Sequence, residues 1–301
     1  MIQILLLYAI FASTFTIGSE AVSHVPPIFF TGIRMVMAGL LLLAFYRFYQ
    51  KGSFAIKKEE VKWFAVILLF HIYFSFVLEY VSYKYVSAAK VCLLYNLSPF
   101  ITALFSYIFF KETMTVKKWI GFIIGCASFL PVLMADSSIL ENIGGSVGFL
   151  SMGEIMAITS VVSSCIGWIA MRKLTTEYNH SYFFVNALGM FFGGLLTLTS
   201  SPFLETIPTY TEFMNPTVLT ALILLILLGN IFSFNLYAHL LHRYTATMIS
   251  FFGFITPLFT AFYDYLWFGR TVSIFFYITM IITTYGLYLF YQEELKQGYI
   301  N

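Results

Sequence analysis

Two stretches of the chain, 158 residues apart, decide the fold. Residues 87–107 read SAAKVCLLYNLSPFITALFSY, and residues 245–265 read TATMISFFGFITPLFTAFYDY. Each proline removes a backbone hydrogen bond and predicts a kink in the middle of an apolar helix. Such kinks are common in membrane helices, but their repetition in equivalent places indicates an internal repeat and favours a gating role for both prolines. The offset aligns Pro99 with Pro257, Ser98 with Thr256, Thr102 with Thr260, Ala103 with Ala261 and Tyr107 with Tyr265.

The repeat predicts two halves of inverted topology. Pro, Gly and charged clusters divide the sequence into ten candidate membrane-spanning helices of about 20 residues each. With five spans per half, the second half starts on the opposite side of the membrane, as in many secondary transporters. We expect an all-α membrane protein with repeats at 1–135 and 148–292 and a short cytoplasmic tail at 293–301. The predicted spans are 2–19, 27–47, 63–83, 86–110, 116–134, 148–172, 181–200, 217–237, 245–268 and 272–291.

The composition agrees with a bilayer as the solvent. Of 301 residues, 60% are hydrophobic and 10% are charged, against roughly 45–50% and 25% in soluble domains. So little polar surface excludes a soluble protein of this size. A net charge of +2, without a long basic run, argues against a nucleic-acid partner.

The positive charges orient the predicted helices, because cytoplasmic loops retain Lys and Arg. Lys84 and Arg270 lie on one side, Arg34 and Lys90 lie inside spans, and the other twelve bases share the opposite side. We therefore expect both termini in the cytoplasm and a multi-pass protein of a bacterial-type cytoplasmic (inner) membrane. The twelve are Arg47, Lys51, Lys57, Lys58, Lys62, Lys111, Lys117, Lys118, Arg172, Lys173, Arg243 and Lys296.

Five charged residues stand out within the predicted spans, because a charge at the centre of a spanning helix costs on the order of 2.5–3.5 kcal/mol. They are Arg34, Glu79, Lys90, Glu154 and Asp264. All five fall in the outer part of their helices, which predicts an outward vestibule with the carboxylates as substrate ligands. The alternative is that Arg34 and Lys90 neutralise the carboxylates in fixed ion pairs. For Arg34 we favour this structural role, since a planar guanidinium suits a fixed pair, and Lys90 can also snorkel.

The third span carries His71, Ser75 and Glu79 at i, i+4 and i+8, and therefore on one helical face. A histidine with a carboxylate two turns away is a plausible proton relay. A structural histidine bonded to a neighbouring helix is the alternative for His71 alone.

Further polar side chains in other spans complete the predicted substrate site, although interhelical hydrogen bonds can also be pure packing. They are Tyr95 and Ser98 in the fourth span, Asn230 in the eighth, and Thr260 with Asp264 in the ninth. Gly189 and Gly193 form a small-xxx-small pattern, typical of close packing or a homodimer face. The sequence has no nucleotide-binding, zinc-peptidase or hydrolase motif, so we expect no cofactor and no metal.

The motifs resemble the drug/metabolite transporter superfamily, in its EamA-like branch. The second span has Pro27, Arg34, Ala38 and Gly39, and the tract from Tyr83 to Ala89 is followed by Pro99 and Lys111-Glu112-Thr113. The fifth span has Trp119-Ile-Gly121 and Gly125, and the sixth opens with Gly153-Glu154. The resemblance implies a ten-helix pseudo-twofold bundle that moves small organic solutes by alternating access. Four residues at three places depart from the family pattern: Arg270, the pair Phe11-Ala12, and Lys90.

The leading hypothesis is a secondary transporter for a small organic metabolite, driven by a proton or counter-substrate gradient. Carboxylates and abundant aromatic rings favour an amino-acid-like, cationic or zwitterionic solute, such as S-adenosylmethionine. A multidrug or metabolite efflux pump of the same fold is the alternative within transport. Outside transport, the alternatives are a membrane-embedded enzyme, for which only scattered carboxylates are present, and a channel or scaffold.

Overall fold

The structure is a computed structural model, and it describes residues 2–50, 55–110, 113–135, 146–147, 150–233, 236, 240 and 253–297. Nine helices within these residues are long and apolar enough to cross a membrane. The prediction of a multi-pass α-helical membrane protein is therefore confirmed. Three of the twelve orienting bases, Lys51, Lys111 and Arg243, lie outside the described residues, as does Glu112.

The helices follow the predicted order, and we number them α1 to α10. The first three are α1 (Ile2–Val22), α2 (Pro27–Phe48) and α3 (Val61–Ser82). Two interrupted helices follow, α4 (Ala88–Tyr95 and Ser98–Phe110) and α5 (Val116–Ala127 and Leu130–Ala135). A small hairpin of β1 (Ser146–Val147) and β2 (Leu150–Ser151) precedes α6 (Met152–Thr176) and α7 (Tyr182–Leu204). After a turn of helix at Tyr210–Phe213 come α8 (Pro216–Ser233), α9 (Thr256–Phe268) and α10 (Ile274–Gln297).

Two predicted spans differ from the observed helices. The ninth span was predicted at 245–268, and its part before residue 253 lies outside the described residues, so the number ten stays a prediction. The sixth span was predicted from residue 148, but α6 begins at Met152. Ser151 and Glu154 form a reciprocal cap there: the Glu154 carboxylate accepts the Ser151 backbone N–H at 2.7 Å, and the Ser151 hydroxyl accepts the Glu154 N–H at 3.3 Å. Capping outweighs the apolar character of the preceding residues.

The repeated prolines start helical segments and do not lie in the interior of a kinked helix, which corrects the sequence-based expectation. A two-residue turn at 96–97 ends the first part of α4, and Pro99 stands in the first turn of the second part. The corresponding turn at 254–255 precedes Pro257, in the first turn of α9. Proline fits this position because the first-turn N–H groups have no intrahelical acceptor.

A second pair of irregularities has the same offset. Helix α3 contains a π-helical segment at Ile67–Phe74, and α8 contains one at Leu225–Ser233. Their first residues are 158 apart (225 − 67), which is the offset between the two prolines (257 − 99). π-Helical segments are rare and often mark functional sites.

The chain divides into two compact units. The first comprises residues 1–16, 85–158 and 232–301, and the second comprises 17–84 and 159–231. In the first unit α5 packs on α10, and a Cβ added at Gly121 would lie 2.6 Å from the Gly286 carbonyl oxygen. Hydrogen bonds continue this contact, from Ser128 to Thr283 at 2.6 Å and from Thr279 to the Ser128 carbonyl at 2.9 Å.

The second unit is built on close packing of α2 against α7. A Cβ at Gly39 would meet the Phe191 backbone nitrogen, and one at Gly194 would meet that of Val36. Gly189 and Gly193 face α3, where added Cβ atoms would lie 2.7 Å from Ile67 and Ile72 respectively. These two glycines therefore serve close packing inside the chain.

Candidate functional site

Lys90 and Glu154 form a buried ion pair in the first unit. The Lys90 Nζ lies 2.7 Å from Glu154 Oε1, and the two side chains are 4% and 2% exposed. The other carboxylate oxygen accepts the backbone N–H and the hydroxyl of Ser151, at 2.7 and 3.0 Å. Ser87 caps the helix that carries Lys90. The contacts of Glu154 thus join the starts of α4 and α6, as the fixed-pair alternative expects for Lys90.

The other candidates of the first unit are partly or fully buried. The Tyr95 ring packs edge-on against Phe15, with centroids 5.4 Å apart, and Ser98, three residues later in the sequence, is half-buried. The Thr260 hydroxyl donates to the carbonyls of Thr256 at 3.1 Å and Ala12 at 3.4 Å. Asp264 is 2% exposed on the same helix as Thr260, one turn further along. Thr260 thus bonds main-chain groups of its own helix and of α1.

His71 and Asn230 are buried in the second unit, each in a π-helical segment. The imidazole packs edge-on against Trp168 at 4.9 Å, and its Nδ1 has no partner among the described residues. The Asn230 amide donates to the thioether sulfurs of Met190 at 3.5 Å and Met35 at 3.8 Å, and its Oδ1 is without a partner in the described ranges.

Ser75 and Glu79 complete the predicted stripe on α3, and both are buried. The i→i+5 bonding of Ile67–Phe74 changes the rotation between His71 and Ser75, so an α-helical spacing does not describe this interval. The Glu79 Oε1 accepts the Tyr83 hydroxyl at 2.7 Å. The Tyr83 ring packs edge-on against Tyr80, with centroids 5.3 Å apart.

Arg34 has a different environment from the one the sequence predicts. Its side chain is buried, and its Nη1 donates to the Tyr80 hydroxyl. The guanidinium carbon lies over the rings of Tyr80 at 4.6 Å and Phe76 at 5.1 Å. Within the described part of the chain, no carboxylate forms an ion pair with Arg34, and its Nε and Nη2 have no hydrogen-bond partner. The fixed carboxylate partner expected for Arg34 is therefore replaced by a tyrosine hydroxyl and two aromatic faces.

Sequence reasoning missed three residues of this cluster: Tyr80, Phe76 and Gly18. A Cβ at Gly18 would lie 2.8 Å from the Tyr80 hydroxyl oxygen, so glycine lets α1 pass close to that group. Phe76 and Tyr80 are spaced i, i+4 on α3 and therefore share a face. That spacing is the signal that could have found the aromatic partners of Arg34. The predicted convergence of all five ionisable residues on one outer vestibule stays a prediction.

The described residues hold no group of three or more His, Cys, Asp or Glu side chains that could bind a metal ion. What they do hold is a set of polar side chains buried in apolar, membrane-length helices. Such side chains can form hydrogen bonds and ion pairs within the membrane.

A family model decides the assignment. The EamA-like transporter family matches residues 1–134 and again 151–292. The chain belongs to the EamA-like transporter family. EamA-like proteins are membrane transporters, so transport by a multi-pass membrane protein is the general function of this chain, and the predicted resemblance is confirmed.

Individual relatives are similar to this chain over nearly its whole length. A protein of Chlamydia muridarum named S-adenosylmethionine/S-adenosylhomocysteine transporter is 31% identical, over 97% of this chain and 91% of that protein. The Chlamydia trachomatis serovar L2 protein of the same name is 30% identical, over 97% and 88% respectively. A crystal structure with 15% identity has a TM-score of 0.60 over 96% of this chain and 93% of its own, which shows a shared fold.

Proposed function

We propose that the chain is a secondary transporter that moves S-adenosylmethionine and S-adenosylhomocysteine across the cytoplasmic membrane by alternating access. The observation that supports this choice of substrates is the similarity to chlamydial proteins named for these two solutes. The similarity extends over 97% of this chain. Both solutes are chemically of the predicted class, because each has a zwitterionic amino-acid part joined to an adenosine.

We further propose two inverted five-helix repeats with both termini in the cytoplasm, and the composition of the two units supports the repeats. The first unit contains α4 and α5 of one half with α9 and α10 of the other, and the second contains α2 and α3 with α7 and α8. Each unit thus combines corresponding helices of both halves, as repeat-based transporters do. The helix breaks before Pro99 and Pro257 and the two π-helical segments add corresponding irregularities, for which we propose a role in gating.

The substrate pair limits which groups the site can use. S-Adenosylmethionine has a sulfonium centre that S-adenosylhomocysteine lacks, whereas the ammonium, the carboxylate and the adenosine are common to both. A transporter of both solutes must therefore take most of its affinity from these common groups. We propose that Glu79, buried on α3 and hydrogen-bonded to Tyr83, interacts with the ammonium group. His71, Ser75 and Asn230 are the further candidates in the same unit.

Counter-transport in liposomes tests this function. Purified protein is reconstituted into vesicles loaded with unlabelled S-adenosylhomocysteine, and uptake of labelled S-adenosylmethionine is followed. Vesicles loaded with buffer serve as the control. We expect uptake that depends on the internal solute and is fastest with S-adenosylhomocysteine inside. Equal uptake into both kinds of vesicle would favour a channel, and recovery of chemically altered solute would favour an enzyme.

Two variations of the same assay separate the remaining alternatives. Lipophilic cationic drugs in place of the labelled solute test the efflux-pump alternative, which expects efficient transport of several unrelated drugs. An imposed pH gradient without internal solute tests proton coupling. Uptake driven by the gradient alone would favour the proton over a counter-substrate.

A further inference from the structure

The guanidinium of Arg34 has one hydrogen-bonded end and one edge that is buried and unpaired. Nη1 donates to Tyr80, while Nε and Nη2, which share the opposite edge, have no partner in the described ranges. A carboxylate binds a guanidinium along such an edge with two parallel N–H···O bonds. The unpaired edge is therefore the one suited to the carboxylate of a bound ligand.

The surroundings of Arg34 keep this edge in place. The rings of Phe76 and Tyr80 lie over the guanidinium and stabilise its charge through their faces, without using the N–H groups. The hydroxyl of Tyr80 fixes the remaining end, and Gly18 leaves room for it. Thr31, on the same face of α2 one turn earlier, is fully buried, and its hydroxyl also has no partner among the described residues.

The energetics favour a ligand over a purely structural role. A charge inside a membrane protein is paired or faces a pathway, because desolvation of an unpaired ion is costly. Arg34 is 4% exposed and has no carboxylate partner in the part of the chain that the structure describes. A solute that brings a carboxylate would supply the missing counter-charge and satisfy both N–H groups at once.

Resting on the proposed function, we infer that Arg34 binds the α-carboxylate of the substrate's amino-acid part. Tyr80, Phe76 and Gly18 are positioning residues for the guanidinium. Glu79 belongs to the same cluster through the contacts from Arg34 to Tyr80, from Tyr80 to Tyr83 and from Tyr83 to Glu79. A cation and an anion at the two ends of this cluster match the two charges of an amino-acid zwitterion.

Ligand analogues that differ by one group test the inference. Binding to the reconstituted full-length protein is measured for S-adenosylmethionine and for its decarboxylated analogue, which retains the sulfonium, the ammonium and the adenosine. In the wild type we expect a preference of roughly 10- to 100-fold for the carboxylate-bearing compound, the usual range for charged hydrogen bonds. In R34Q the preference should fall to within about threefold, with little change in binding of the decarboxylated analogue.

Matched variants make the result decisive. R270Q removes an exposed arginine that also lies over an aromatic ring, Phe268 at 4.6 Å, and should leave the preference at the wild-type ratio. R34K retains the positive charge but cannot donate two parallel N–H···O bonds to a carboxylate. Its preference for the carboxylate-bearing compound should therefore be intermediate. If R34Q does not yield folded protein, R34K alone decides. A wild-type ratio in R34Q or R34K overturns the inference.

Failure of the proposed function gives a different pattern. If the wild type binds neither S-adenosylmethionine nor S-adenosylhomocysteine, the same comparison is made between free amino acids and the corresponding decarboxylated amines. A carboxylate preference that R34Q abolishes would keep the role of Arg34 and reject the substrate. A preference for the amines, or the same preference in R34Q, would reject the role of Arg34.

Discussion

The two units each bury a cation inside a membrane-length helix, but they neutralise it differently. In the first unit Lys90 lies 2.7 Å from a carboxylate oxygen of Glu154. In the second unit Arg34 is buried to the same extent, with 4% of each residue exposed. Its contacts are a tyrosine hydroxyl and two aromatic rings, with no carboxylate among the described residues.

The difference separates a structural charge from a charge available to a ligand. A buried ion pair is complete in itself, and removal of one partner leaves an uncompensated ion. A buried guanidinium without a counter-ion lowers the stability of the empty protein, and a ligand that supplies the counter-ion offsets that cost. The two cations should therefore respond in opposite ways to removal of their charge.

Loss of the Lys90 charge should have the largest effect on stability. In K90M the Glu154 carboxylate stays buried without its counter-ion, and we expect a loss of about 3–5 kcal/mol, measured by denaturation of the purified protein in detergent. The double variant K90M/E154Q, which removes both charges, should recover a large part of this loss. A K90M protein as stable as the wild type would show that the pair is not important for stability.

Removal of the Arg34 charge should leave the empty protein at least as stable and abolish its response to substrate. At a substrate concentration of 100 Kd, binding stabilises a protein by about 2.7 kcal/mol. We expect this increment in the wild type and little of it in R34M, measured as melting temperature with and without S-adenosylmethionine. The comparison between the two cations fails if R34M is as destabilised as K90M.

Much of the helix order could be predicted from the sequence, because length and hydropathy determine membrane-spanning helices. Eight of the predicted starts lie within two residues of an observed helix start: those of α1, α2, α3, α4, α5, α7, α8 and α10. The start of α6 was missed although its signal is local, since Ser151 and Glu154 have the spacing of a capping box. The π-helical segments in α3 and α8 have no comparable signal, because tertiary packing decides where an extra residue enters a turn.

The candidate site was harder to predict for a physical reason. The cost of a charge in a membrane identifies Arg34 and Lys90 as unusual, but it does not identify the partner of either. The partners come from other helices, Tyr80 on α3 for Arg34 and Glu154 on α6 for Lys90. One sequence does not show which residues of different helices meet, and the rule that charges pair with charges favoured a carboxylate for Arg34, where the described residues provide a tyrosine hydroxyl.

Crowding at Gly18 should disturb Arg34 without removing any polar group. A Cβ in G18A would lie 2.8 Å from the Tyr80 hydroxyl oxygen, so the phenol that holds the guanidinium must move. We expect a stability loss of about 1–3 kcal/mol, the range for overpacking, and a smaller carboxylate preference in the binding assay. Y80F removes the hydroxyl, and G18A should cost less in that background. Additive effects of the two substitutions would contradict this coupling.

The smallest effect is expected at Glu60, a hydrogen-bonded carboxylate that lies just before the membrane-spanning helix α3. The Glu60 carboxylate accepts the Lys57 backbone N–H at 2.9 Å and lies 2.9 Å from His180 Nε2. The Lys57 N–H, followed by His180, lowers the pKa of Glu60 below its ordinary value. A lowered pKa stabilises the folded protein above the unfolded pKa of about 4.3, and the contribution disappears as the pH falls through the folded pKa.

Melting curves of the wild type and E60Q should therefore differ at neutral pH and converge below about pH 4. The difference at neutral pH should be smaller than that caused by K90M, because E60Q removes the charge itself, whereas K90M leaves the buried Glu154 carboxylate without its counter-ion. A constant difference at every pH would assign the contribution of Glu60 to packing and not to its charge.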